Sequence, residues 1–90
     1  MSVTVSIHPA HRQFTGGLPE VEVEGTTVGD CLRRLVGRFP AMEGQLFDGH
    51  GKLQRTVVLL VNEETLHADE LDRRVTRGDT IHVTLLLGGG

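Results

Sequence analysis

Apolar and polar residues alternate in two segments near the start of the chain, and this alternation predicts two strands. Residues 2–7 alternate valine or isoleucine with serine and threonine, and residues 20–24 alternate valine with glutamate. Successive side chains of a strand point to opposite faces, so each segment has one buried and one polar face. We expect an antiparallel hairpin whose two strands are joined by a long loop over residues 8–19.

Residues 28–39 have the period of an amphipathic helix. The apolar side chains that recur at helical spacing are Val28, Leu32, Leu35, Val36 and Phe39. Thr27 precedes them as the predicted N-cap, and Asp30 follows three residues later in a capping-box position. Pro40 predicts the end of the helix, and Arg34 is expected on its exposed side.

The second half of the chain predicts a buried strand over residues 57–61, a short edge strand over 65–67 and a last strand over 80–87. A short helical turn is expected at residues 44–47. This order predicts an α+β fold, a β-grasp (ubiquitin-like) roll with a mixed four- to five-stranded sheet and one main helix. The predicted domain covers residues 1–87.

The composition excludes several classes of function. The 90-residue chain has a net charge of −3 and a pI near 5.9, whereas a nucleic-acid binder needs a basic face. It has no tryptophan or tyrosine to stack on bases. No apolar run approaches the ~20 residues that span a bilayer, and no signal peptide is recognisable. With a single cysteine, we expect a cytoplasmic domain that binds neither nucleic acid nor membrane.

The side chains present no catalytic or metal-binding pattern. The five histidines lie in separate segments or at spacings unsuited to zinc, and we expect them on the surface. Cys31 is expected to be a buried or edge-packed thiol, although its place near a helix N-terminus also allows a lowered pKa and a redox role. No nucleophile elbow or phosphate loop is present. We therefore expect a protein that is not an enzyme and holds no cofactor.

Gly88, Gly89 and Gly90 follow the last predicted strand directly. Glycine has no Cβ and lets another backbone approach closely, and three extended residues reach roughly 10 Å. Such a tail suits entry into a narrow channel, where the α-carboxylate of Gly90 is the unusual chemical group. An inert terminal segment is the alternative.

The chain resembles the ubiquitin-like sulfur carriers of the ThiS/MoaD family. The resemblance covers nearly the whole chain and depends on the order and spacing of five segments. These are Val23-Glu24-Gly25-Thr26-Thr27-Val28-Gly29-Asp30, Arg38-Phe39-Pro40, Val58-Leu59-Leu60-Val61-Asn62-Glu63-Glu64, Arg77-Gly78-Asp79-Thr80-Ile81 and Gly89-Gly90.

The resemblance implies a function for the tail. A ubiquitin-activating-type adenylyltransferase would adenylate Gly90 with ATP, a persulfide donor would convert it to a thiocarboxylate, and an acceptor synthase would take the sulfur. Gly88 and Gly89 would thread into the partners' active sites. The residues expected to dock partners are Leu86, Arg73, Arg74 and Arg77.

Three segments look most like the carrier used for cysteine synthesis: residues 15–17, 51–55 and 61–64. They imply a cysteine synthase-like acceptor that uses pyridoxal phosphate. Thiamin, molybdopterin and secondary-metabolite pathways stay open as alternatives. So do two other roles, a protein modifier conjugated through Gly90 and a β-grasp interaction module without tail chemistry.

Overall fold

One α-helix lies across a single face of a five-stranded mixed sheet. The computed structural model describes residues 2–67 and 69–86. The strands are β1 (Ser2–Ile7), β2 (Glu20–Glu24), β3 (Val57–Val61), β4 (Glu64–Thr65) and β5 (Thr80–Leu85). The α-helices are α1 (Val28–Arg38) and α2 (Glu43–Leu46), and 3-10 helices cover Pro9–Phe14 and Pro40–Met42.

The strand order is β2-β1-β5-β3-β4, with β1 and β5 parallel at the centre. The β1–β2 pair is antiparallel, as predicted, and β3 pairs antiparallel with both β5 and β4. The predicted α+β architecture, with a mixed sheet and one main helix, is therefore confirmed.

The core lies between α1 and the sheet. Alternate residues of the strands are buried, including Val5, Leu59 and Ile81, while Leu32 and Leu35 of α1 are fully enclosed. The helical stripe of the sequence is confirmed in its first two turns. Its last members, Val36 and Phe39, are only partly buried, because they pack at the margin of the core. The predicted helical turn at 44–47 corresponds to α2.

The start of α1 is fixed by the predicted cap. Thr27 Oγ1 accepts a hydrogen bond from the backbone N–H of Asp30 at 3.1 Å. The Asp30 carboxylate accepts in return from the N–H of Thr26, one residue before the usual capping-box donor. At Gly25 a Cβ would lie 2.7 Å from Cys31 Sγ. This turn therefore requires a residue without a side chain.

Two local predictions need correction. The segment expected to be a loop over residues 8–19 contains the 3-10 helix Pro9–Phe14, which begins where the His8 side chain accepts from the N–H of Ala10. The edge strand covers Glu64–Thr65 instead of residues 65–67. Asn62 adopts a φ of 57°, so a two-residue turn suffices and pairing resumes at Glu64 opposite Val61.

His11 contradicts the expectation that the histidines lie on the surface. The 3-10 helix turns its ring inward, where it contacts Phe14 and His8 and is only 4% exposed. Burial lowers the pKa of His11 below its ordinary value of 6.5, and the nearby His8 lowers it further.

We predict that Leu35→Ala lowers the free energy of unfolding by about 2–5 kcal/mol, because it leaves a cavity in the core. Arg34→Ala, on the exposed side of the same helix, should change it by less than about 0.5 kcal/mol, since its ion pair with Asp30 is solvated. Urea denaturation followed by circular dichroism measures both. A larger loss for Arg34→Ala would contradict the observed helix orientation.

The buried His11 should make the stability of the protein depend on pH below neutrality. Because its pKa is lowered in the folded state, the unfolded chain binds more protons as the pH falls below 6.5. Above pH 6.5 His11 is neutral in both the folded and the unfolded chain, so the free energy of unfolding has its full value. It decreases as the pH falls towards the lowered pKa of the folded state. Urea midpoints between pH 7.5 and 5.5 should fall less steeply in His11→Phe than in the wild type. His50→Asn, at an exposed position, is the control, and equal slopes in wild type and His11→Phe would refute the expectation.

Candidate functional site

The last described residues, Leu85 and Leu86, form what we call the tail root. Leu85 is the final residue of β5 and pairs with Val57, and the Leu86 N–H donates to the carbonyl of Thr56 at 2.7 Å. The tail root is thus held against the start of β3. The residues predicted to carry the chemistry, Gly88, Gly89 and Gly90, lie outside the described residues, as does Leu87.

An apolar patch borders the tail root on the face of the sheet opposite α1, which we call the open face. Leu86 is 65% exposed. Val58 and Leu60 are half-buried and occupy alternate positions to the core residues of β3. In the sheet Val58 pairs with Thr84 and Leu60 pairs with His82, so both leucines and the valine share one surface. From the sequence, Leu86 was predicted to dock partners, but residues 57–61 were predicted only as a buried strand, so Val58 and Leu60 were missed.

Acidic side chains lie at the β2 margin of the open face. The exposed glutamates of β2 are Glu20, Glu22 and Glu24. Arg38 Nη1 donates to the backbone carbonyl of Glu22 at 2.8 Å. A partner that covers the apolar patch therefore meets negative charge at its rim.

The three arginines predicted to dock partners lie at the opposite end of β5 from Leu86. Arg73 forms an ion pair with Glu64, Arg74 forms a backbone bridge with Thr27, and Arg77 is exposed in the turn before β5. The five steps from Thr80 to Leu85 span roughly 17 Å. The structure therefore does not place the arginines and Leu86 on one compact surface.

A groove of about 440 Å³ opens beside the tail root, and we call it the tail-root groove. The tail root forms one wall, and the other lining residues are His11, Gly44, Gln45, Gln54 and Thr56. The Gln54 amide donates to the carbonyls of Gly44 and Phe47, each at 3.2 Å, and so ties this wall to α2. The sequence carried no sign of the groove, since its walls come from four separate segments.

Cys31 is fully enclosed, which confirms the prediction of a buried thiol. Burial raises the pKa of Cys31, and the neighbouring Asp30 carboxylate raises it further. The alternative of a reactive, low-pKa thiol is therefore wrong. Within residues 2–67 and 69–86, no three His, Cys, Asp or Glu side chains are grouped closely enough to hold a metal ion.

None of the helices in the described part of the chain is both long and apolar enough to cross a membrane.

Comparison with known proteins identifies the fold and the family. The sulfur carrier protein CysO of Mycobacterium tuberculosis is 32% identical over 93 residues, covering 100% of both chains. The crystal structure of the Amycolatopsis orientalis BexX/CysO complex contains a chain with a TM-score of 0.87 at 32% identity, covering 98% of this chain and 99% of that one. SAMP1 from Haloferax volcanii also gives a TM-score of 0.87, at 28% identity over 100% of both chains.

These likenesses confirm the predicted β-grasp fold and the predicted resemblance to ubiquitin-like carriers. Residues 9–90 match the ThiS family. The match includes α1, the tail root and all three glycines of the tail. The chain belongs to the ThiS family.

Proposed function

We propose that this protein is a sulfur carrier whose Gly90 is the site of chemistry. An oxygen of the Gly90 carboxylate attacks the α-phosphorus of ATP and displaces pyrophosphate, giving an acyl-adenylate. Hydrosulfide then attacks the acyl carbon and displaces AMP, leaving a thiocarboxylate and a proton. With a persulfide as donor, the first product is an acyl disulfide, and a second thiol of the donor cleaves its S–S bond to release the thiocarboxylate.

The observation that carries this proposal is the full-length similarity to CysO, a named sulfur carrier protein. The family match also extends through Gly90. The described residues support a carrier with no catalytic side chain of its own. Cys31 is enclosed and burial raises its pKa, which disfavours Cys31 as the residue that carries the sulfur.

A role with partner enzymes is supported by the similarity to CysO, which in Amycolatopsis orientalis forms a complex with BexX. We propose that the first partner is an adenylyltransferase of the ubiquitin-activating type and that a persulfide donor supplies the sulfur. We propose that the enzyme that accepts the sulfur is a cysteine synthase-like enzyme that uses pyridoxal phosphate. A single, buried free thiol suits a cytoplasmic setting for this exchange.

The second candidate is a protein modifier joined through Gly90 to lysines of other proteins. The similarity to SAMP1 of Haloferax volcanii, which is named small archaeal modifier protein 1, favours it. Both functions begin with the same acyl-adenylate. They differ in whether sulfur or a lysine amine takes the acyl group.

We also propose that the apolar patch of the open face docks the adenylating partner. Leu86 lies in the tail root, and the apolar side chains of Val58 and Leu60 continue from it along the open face. We therefore expect a partner that receives the tail to cover this patch. Arg73, Arg74 and Arg77 would reach only a partner that covers the sheet from end to end. Their contribution is therefore expected to be smaller and sensitive to salt.

Mass spectrometry of the protein isolated with its activating system tests the central proposal. We expect the C-terminal peptide to gain the mass of one oxygen replaced by sulfur, and we expect this group to react with an electrophilic sulfonyl azide. A chain with one alanine added after Gly90 should gain no sulfur at Gly90, because the acyl group of Gly90 is then an amide.

Cys31→Ser is the matched control, since a persulfide on Cys31 would also add sulfur. Loss of the added sulfur in Cys31→Ser, with Gly90 unchanged, would overturn the carrier assignment. Isopeptide adducts on lysines in place of a stable thiocarboxylate would favour the modifier.

The docking proposal predicts separate effects at the two ends of β5. Leu86→Asp should raise the KM for the carrier in ATP–pyrophosphate exchange about tenfold, because it places a charge in an apolar contact. Arg77→Ala should raise KM by no more than about twofold, and less at high salt. A larger effect for Arg77→Ala would place the main contact at the arginine end.

A further inference from the structure

We propose that the tail-root groove is a second contact site for the adenylating partner. In it the His11 imidazole donates a hydrogen bond to the amide oxygen of a partner asparagine or glutamine side chain that enters the groove. This inference rests on the proposed function and adds a recognition element that the apolar patch does not contain.

The location of the groove argues for a partner contact. Its wall is the tail root, which the bond from Leu86 to Thr56 fixes in place. From Leu86 to Gly90 the chain can reach at most roughly 14 Å. An enzyme that takes the Gly90 carboxylate into a narrow channel must therefore bring the rim of that channel within this distance of the tail root, which the groove borders.

His11 supplies the polar group. Its Nδ1 is buried and has no hydrogen-bond partner among the described residues. An enclosed N–H without an acceptor costs more free energy than an enclosed lone pair, so neutral His11 carries its proton on Nε2. The lowered pKa keeps the ring neutral at pH 7. The ring lining the groove is thus a donor.

The other lining residues select the kind of side chain that enters. The described residues of the groove include glutamines, a threonine and leucines but no carboxylate, lysine or arginine, and His11 is neutral, so a charged head group of either sign would be desolvated without a counter-charge. Leu85 and Leu86 suit an apolar stem. The Gln54 amide is already held by two carbonyls, so the wall is formed before the partner arrives. An apolar stem that ends in an amide oxygen fits these walls.

Occlusion of the groove is the first test. Gly44 lines the groove, and a Cβ there would meet no atom within 4 Å. Gly44→Leu should raise the KM for the carrier in ATP–pyrophosphate exchange about tenfold with kcat preserved, since it removes a binding contact outside the chemistry. Gly37→Leu is the matched control, because Gly37 is also a helical glycine with an open Cβ position. Its KM should match that of the wild type.

Replacement of His11 tests the donor. His11→Phe keeps a ring but removes both nitrogens, and it should raise KM about tenfold. His11→Gln places an amide N–H near the position of Nε2 and should restore KM to within about threefold of the wild type. Circular dichroism confirms that each variant is folded.

The outcomes separate the two proposals. If the wild type supports exchange but Gly44→Leu and His11→Phe leave KM unchanged, the groove contact is wrong. The proposed function is then unaffected. If His11→Phe and His11→Gln raise KM to the same value, the proposed hydrogen bond from His11 is wrong. Absence of any exchange with the wild type would overturn the proposed function and this inference with it.

Discussion

The central position of β5 is the constraint on which the rest of the site depends. β5 lies between β1 and β3 and pairs with both. Its inward side chains, Ile81 and Val83, are buried beneath α1. The tail therefore begins at the end of the most constrained strand of the sheet instead of at a frayed edge. The apolar patch and the tail-root groove both border this end, so one strand sets the position of all three.

A tail made only of glycine has no side chain by which a partner can distinguish it. Selectivity must therefore come from the surface that surrounds the tail root. The apolar patch provides non-directional contact area, whereas the groove provides a directed donor at His11. The glutamates at the β2 margin of the open face favour partners with a basic rim on that side. Carriers and modifiers that share this fold can thus present the same terminal chemistry to different enzymes.

Much of the fold was predictable because its signals are local. The apolar period of α1 and the cap at Thr27 lie within a few residues of the elements they define. The burial of His11 was not predictable, since a six-residue 3-10 helix has too few turns to show a period. Val58 and Leu60 were missed for another reason. A run of apolar residues does not reveal which members face the helix until the pairing with β5 is known.

The candidate site was predictable only where it is sequence-local. The glycines of the tail were evident, although they lie outside the described residues. The arginines are near Leu86 in sequence, but an extended strand carries Arg77 and Leu86 far apart. The groove joins the 3-10 helix, α2, the segment before β3 and the tail root. No pattern within one segment indicates that these four segments come together in the fold.

The bond from Arg38 to the carbonyl of Glu22 also bears on how the protein behaves at high concentration. β2 is an edge strand, and exposed edges invite pairing with a second copy of the chain. Here a guanidinium already occupies one edge carbonyl, and three glutamates on the same strand repel an identical strand. The opposite edge, β4, is only two residues long. Both edges of the described sheet therefore disfavour pairing with the edge strand of a second copy.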